Sequence, residues 1–218
     1  MFLNPQNLVI PTLVRDYPEW HHARCHYALW YIEIDQPELI AYLDQLRLHF
    51  ADLLLQPNQR QYHISVYVCG FLTELAPRFN DDFHPRQMQQ QIQYLHQHIQ
   101  QRSLGSFQLK LTQLNSFDSA LIVELLDPVQ CLGQIRQGMA LYANEIAALQ
   151  YCPHITLGLY REAYAAEKIY ARMQSILQRP FEITVDQLKF GYYQAQQLQG
   201  PLYAQYSVHL DQDQACCN

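Results

Sequence analysis

The sequence predicts an α+β domain with two comparable lobes. Three observations carry that expectation: apolar patterning that switches repeatedly between strand and helix periods, an element order of β-α-β-α-ββ-α-β-α-ββ, and no Gly/Ser/Pro-rich linker between the halves. They predict a single bilobal domain over residues 24–210, an irregular segment over 1–23 and a flexible tail over 211–218.

Each element has a local reason. Residues 24–34 (RCHYALWYIEI) are aromatic and β-branched, which suits a strand. Pro37 then opens a helix to about residue 55, with Leu39, Leu43, Leu46, Phe50 and Leu53 on one face. A strand over 62–71 leads to a turn region over 77–84. The Gln-rich stretch 85–102 carries Met88, Ile92, Leu95 and Ile99 at helical spacing, so it reads as an amphipathic helix and not as low-complexity chain. Residues 107–126 read as two strands around Asn115-Ser116-Phe117-Asp118. A helix over about 129–149, a strand over 151–160 and a helix over about 163–177 follow. The closing β region, 181–210, is interrupted at Gly191 and at Gly200-Pro201.

A chain of 218 residues buries a sizeable core without disulfides or metals. Its six cysteines (Cys25, Cys69, Cys131, Cys152, Cys216, Cys217) form no C-x-x-C pair, which favours a reducing compartment and a cytoplasmic location. The N-terminus has no basic leader, is broken by Pro5 and Pro11, and no apolar run reaches membrane-spanning length, so no membrane association is expected. The net charge of −6 argues against gripping long nucleic acid through many phosphates. A small or terminal phosphate is easier to accommodate, and the cations are mostly arginines, with Lys110, Lys168 and Lys189 as the lysines.

Two segments carry candidate chemistry: YHISVYVCGF at 62–71 and PHITLGLY at 153–160. Strand side chains alternate, so His63 and Ser65 project to one face, as do His154 and Thr156. Side by side, the strands would aim two imidazoles and two hydroxyls at a common cleft. That set suits in-line displacement at phosphorus: a base on the attacking oxygen, an acid on the leaving oxygen, and donors on the remaining oxygens. Histidine fits both proton roles near neutrality. With ten His and twelve Ser plus Thr in the chain, chance supplies about half of one His-x-Ser/Thr, so one copy would mean nothing. Both copies lie in β-branched, aromatic runs, one in each half of the chain. The competing interpretation is two strand histidines bonded to neighbouring backbone.

These motifs resemble those of the 2H phosphoesterase superfamily, within it the 2′-5′ RNA ligase and cyclic phosphodiesterase group. His63, Ser65, Val68 and Gly70 are similar to its His-x-Thr-x-x-Phe-x-Gly pattern, with Ser for Thr and Val for the aromatic residue. Pro153-His154-Ile155-Thr156-Leu157 matches its second stretch at every position. The resemblance implies a duplicated fold, with antiparallel sheets lining a central cleft and helices outside. It also implies that His63 and His154 exchange acid and base roles while Ser65 and Thr156 hold the phosphate. The implied partner is a nucleotide or RNA terminus bearing a cyclic or 2′-5′ phosphodiester, turned over by a monomer without cofactor or metal. The implied reaction is hydrolysis of a 2′,3′-cyclic phosphate to a 2′-phosphate, with reversible 2′-5′ ligation as the same chemistry. Three alternatives stay open: a non-catalytic nucleotide- or RNA-binding module, action on 2′-5′ oligonucleotides, or action on cyclic ADP-ribose products. The family often has an arginine five positions past its second His; here that residue is Leu159, with Arg161 two further on.

By strand alternation Tyr67 shares a face with His63, and Tyr160 with His154, so both are candidates for substrate binding by stacking or hydrogen bonding. The histidines at 21, 22 and 26 and the helical pair His96 and His98 do not make a metal site, since residues two apart on a helix face different ways.

Overall fold

The computed structural model describes residues 2–146 and 150–211. Helix α1 (Pro18–His21) is a single turn, and strand β1 (His26–Glu33) follows it. Both faces of β1 are covered: Ala28, Trp30 and Ile32 enter the main core, while Leu29 and Tyr31 form a smaller cluster with Leu202 on the opposite face. Helix α2 (Pro37–His49) begins with Pro37, whose missing N–H would have had no partner there, and buries Leu39, Tyr42, Leu43 and Leu46. It ends before the expected residue 55 because the chain turns, the Leu53 N–H bonding back to the Phe50 carbonyl. Strand β2 (His63–Leu72) carries the first motif, and the two-residue β3 (Asp82–Phe83) forms inside the expected turn and pairs with its end.

Helix α3 (Pro85–Gln100) starts with a capping box: His84 Nδ1 accepts from the Arg86 N–H at 3.1 Å and Gln87 accepts from the His84 N–H at 2.8 Å. Its buried residues include Gln91, which accepts from the Trp30 indole at 2.8 Å and donates to the Met139 carbonyl at 3.2 Å. A polar residue therefore sits within the face expected to be apolar, and its hydrogen bonds make that burial tolerable. Then come β4 (Phe107–Ser116), β5 (Ala120–Leu126), α4 (Cys131–Met139) and β6 (His154–Leu159). Helix α4 is shorter than expected because the backbone after it bonds elsewhere: the Tyr142 and Ala143 carbonyls accept from Gln87 and Tyr67, and the Ile146 N–H reaches Val68. The expected end of that helix, residue 149, lies outside the described residues. Helix α5 (Ala166–Gln174), β7 (Glu182–Val185), β8 (Gln187–Gln194) and β9 (Tyr203–His209) complete the chain. Among the described residues, no helix is long and apolar enough to cross a membrane.

The strands form one strongly curled sheet with helices outside, in the order β7-β4-β5-β6-β2-β1-β8-β9, with β3 beside β2. The lobes are thus the two halves of a single sheet, antiparallel except at β3. Their join is the single pair Ile64 and Ile155 between β2 and β6. Only Asp186 separates β7 from β8, yet five strands stand between them in the sheet order, so the sheet must curl back on itself. A consequence is that the lobes are not the two halves of the chain, because β8 and β9 complete the lobe of β1 and β2. Gly191 does not interrupt the closing strands but lies inside β8, at a register irregularity where a Cβ would stand 2.4 Å from the Tyr203 carbonyl oxygen. Helix α2 packs beside β6 and α4 beside β2, so one apolar core runs across the join.

Gly70 has a comparable structural reason. Its φ of +107° disfavours any side chain, and an added Cβ would lie 2.3 Å from the Asp81 carbonyl oxygen, which also accepts from the Phe71 N–H at 2.7 Å. Asp81 and Asp82 are in turn held by Arg24. Gly70→Ala should therefore destabilise the fold by about 1–3 kcal/mol from backbone conformation alone, with displacement of Asp81 adding to it. Urea unfolding measures this, and an unchanged midpoint would contradict the assignment.

Candidate active site at the join of the two lobes

The pairing of Ile64 with Ile155 dictates what faces the cleft. Both isoleucines are fully buried in the core, so their strand neighbours point the other way. In an antiparallel pair this register sets His63 across from Thr156 and Ser65 across from His154. Cross-strand neighbours stand about 5 Å apart and diagonal ones about 7–8 Å, so the two imidazoles flank a space the size of one phosphoryl group. Among the described residues, neither the Ser65 nor the Thr156 hydroxyl has a hydrogen-bond partner, and both line the cleft.

The two histidines are held in matching ways. His63 Nδ1 lies 2.8 Å from the Gln61 carbonyl and His154 Nδ1 lies 2.8 Å from the Cys152 carbonyl, two residues upstream in each case. A carbonyl only accepts, so Nδ1 carries the hydrogen and Nε2 is left for the cleft. An aromatic edge braces each ring: Tyr31 against His63 at 5.9 Å and Phe117 against His154 at 4.9 Å between centroids. Each also has a glutamate on its outer neighbouring strand, Glu33 and Glu124. Those carboxylates are engaged elsewhere, Glu33 with Lys189 and Glu124 with Asn115 and Gln113.

Electrostatics separates the two rings. Burial pushes His63 down to about 4, and the nearby Arg60 and His154 push the same way against the Gln61 carbonyl. Burial also lowers His154 from its usual value, opposed by its bond to Cys152. His63 is thus the stronger candidate for a neutral imidazole.

Tyr67 and Tyr160 do not face the cleft. A β-bulge interrupts β2 between Ser65 and Tyr67, where two steps along β2 match one along β1, and another interrupts β6 between Thr156 and Gly158 against β5. Each bulge reverses the alternation downstream of its motif. Val68 and Leu159 consequently line the cleft, while Tyr67 and Tyr160 turn into the core. There the Tyr67 hydroxyl donates to the Ala143 carbonyl at 2.5 Å, and the Tyr160 hydroxyl shares a 2.7 Å hydrogen bond with Ser116. Strict alternation placed them with the histidines, and a bulge is invisible to that rule.

The cleft encloses a cavity of about 480 Å³. It is lined by His63, Ser65 and Thr156 of the two motifs, by Arg60 and Tyr193, and by part of the N-terminal segment: Thr12, Arg15, Tyr17 and Trp20; His154 stands beside this cavity, diagonal to His63 across the join, and is not among its lining residues. That segment is fastened to the β4–β7 lobe by bonds from the N–H groups of Leu3, Val9 and Thr12 to the carbonyls of Ser116, Tyr164 and Tyr160. It then reaches the other lobe, where Trp20 packs on Tyr27 and Phe71. Patterning along the chain offered no functional reason to single out these residues. Arg60, three residues before His63, had at least a position in its favour; Tyr193 and the N-terminal side chains reach the cavity only through the fold. Arg161 is not among the lining residues and pairs with Glu162 at the surface. His21 bonds to Asp16, His22 stacks on Phe79, His26 packs on Tyr192, His96 meets Tyr206 and His98 meets Ser103. Among the described residues no three His, Cys, Asp or Glu side chains gather into a metal-sized cluster.

A family model described as the 2′-5′ RNA ligase superfamily matches residues 35–197. Among solved structures, the chain is similar to E. coli LigT complexed with 3′-AMP, at 15% identity over 87% of this chain and 100% of that one, with a TM-score of 0.53. It is also similar to TT0787 of Thermus thermophilus, at 13% identity over 86% and 99% of the two chains, with a TM-score of 0.53. At such identities the likeness establishes the fold. No curated protein matches the chain.

Proposed function

Because the chain belongs to the 2′-5′ RNA ligase superfamily, whose members are phosphoesterases, we propose that it hydrolyses 2′,3′-cyclic phosphates, on RNA ends or nucleotides, to 2′-phosphates. The observation that carries this reading is the register at the join, which sets two imidazoles and two unbonded hydroxyls on one face of the sheet, with His63, Ser65 and Thr156 lining the cavity there. Neutral His63 takes a proton from water through Nε2 as the water oxygen bonds to phosphorus. The phosphorus bond to the ribose 3′-oxygen breaks, and that oxygen takes a proton from protonated His154, leaving a 2′-phosphomonoester. Ser65 and Thr156 donate to the non-bridging oxygens as charge builds on them. With a ribose hydroxyl in place of water, the same steps in either direction join or cleave a 2′-5′ linkage.

Relatives of this fold support a nucleotide-sized ligand, since E. coli LigT has been solved with 3′-AMP. The free thiols of Cys25, Cys69, Cys131 and Cys152 support a reducing compartment such as the cytoplasm. The test is incubation of the purified protein with 2′,3′-cyclic nucleotides in EDTA, with product isomers separated by chromatography. Formation of 2′-nucleotides is expected. A protein that binds these nucleotides without turning them over would instead be a binding module.

A further inference from the structure

Among the described residues, Arg60 is the cation in this cleft that the protein itself leaves unneutralised. Arg24, Arg136 and Arg172 each meet a carboxylate, and the cavity's other arginine, Arg15, pairs with Glu19. Arg60 is largely buried, yet no described Asp or Glu lies within ion-pairing distance of it. Its guanidinium stacks 3.9 Å from the centre of the Tyr193 ring, which is also its polar side-chain neighbour. Its Nε donates to the Gly200 carbonyl at 2.9 Å. Those contacts fix the plane of the group at the wall of the cavity that His63, Ser65 and Thr156 also line, with no carboxylate among the described residues to neutralise it.

A desolvated cation without a counter-charge is costly, and a site that keeps one is built for an anion. The cost registers here as a lowered pKa for Arg60, caused by burial, and its charge reaches His63, whose proton affinity it reduces. The chain as a whole is anionic, at −6, so an incoming phosphate needs a local positive group.

We propose that Arg60 is the substrate-anion-binding residue of this cleft, gripping the phosphoryl oxygens that the two histidines bracket. The proposal rests on the phosphodiesterase reading for the identity of the phosphoryl group, but its test does not require turnover.

Inorganic phosphate is the probe, titrated into the full-length protein by calorimetry and by NMR of the arginine side-chain N–H groups. In the wild type, phosphate should shift the Arg60 signals; if they stay unmoved while phosphate binds, the assignment is wrong. Arg60→Gln should weaken phosphate binding by about ten- to a hundredfold, the worth of a charge-assisted contact. Arg60→Lys, which keeps the charge and loses the planar fork, should fall in between. In Arg60→Gln the His63 NMR titration should also move upward, which loss of packing alone would not produce. Unchanged phosphate affinity in a folded Arg60→Gln overturns the proposal. If instead Arg60→Gln loses phosphate while His63→Ala and His154→Ala keep full turnover, Arg60 stands and the two-histidine reading fails.

Discussion

His63→Ala and His154→Ala are each expected to lower turnover of a 2′,3′-cyclic nucleotide by about 10²- to 10⁴-fold, the usual worth of a positioned general acid or base. The loss should appear mainly in kcat, because Ser65, Thr156 and Arg60 remain to hold the phosphate. Groups acting in one concerted displacement are not additive, so the double variant should be little slower than the worse single one. Neither ring is part of the apolar core, and each lies part-exposed on the cleft face, so both variants should fold with near wild-type circular dichroism. Retention of full activity by either folded variant would remove that histidine from the mechanism. By contrast, Tyr67→Phe and Tyr160→Phe affect hydroxyls committed to the core and should act on stability before activity.

The pH profile of kcat/KM should peak on the acid side of neutrality and fall about tenfold per unit above roughly pH 6.5. The sign follows from the two rings. His63 serves as base only when neutral, which its position near 4 ensures over most of the range. His154 serves as acid only when protonated, and burial holds its proton affinity below the ordinary 6.5, so raising the pH removes the acid first. The charged neighbours are consistent with this order. Arg60 bears on His63, and the cross-strand carboxylates, Glu33 and Glu124, are occupied by Lys189 and by Asn115 with Gln113. A bound phosphate anion stabilises both imidazolium forms, so the kcat profile should lie at higher pH than the kcat/KM profile. Stopped-assay rates across pH 4 to 9 would measure both, and an optimum above pH 8 in kcat/KM would exclude His154 as the acid.

Local periodicity made part of this molecule legible in the chain. Alternation around His63 and His154 assigned each histidine and hydroxyl to one strand face, and Pro37 and Pro85 marked the starts of α2 and α3. The α+β class followed from the succession of such segments. Periodicity is a property of neighbouring residues, so it survives without knowledge of the fold.

What the fold alone decided depends on strands far apart in sequence. The single pair Ile64 and Ile155 brings the motifs together across a 91-residue separation in numbering, and the β1 and β5 partners impose the bulges that turn Tyr67 and Tyr160 inward. The curl that returns β8 and β9 to the first lobe carries Tyr193 under Arg60, and the N-terminal segment becomes a cavity wall only by bonding to residues more than 100 positions away. Residue order thus determined which side chains each strand could offer. Cross-strand register, fixed by non-local hydrogen bonds and burial, determined which of them meet at one phosphorus-sized space.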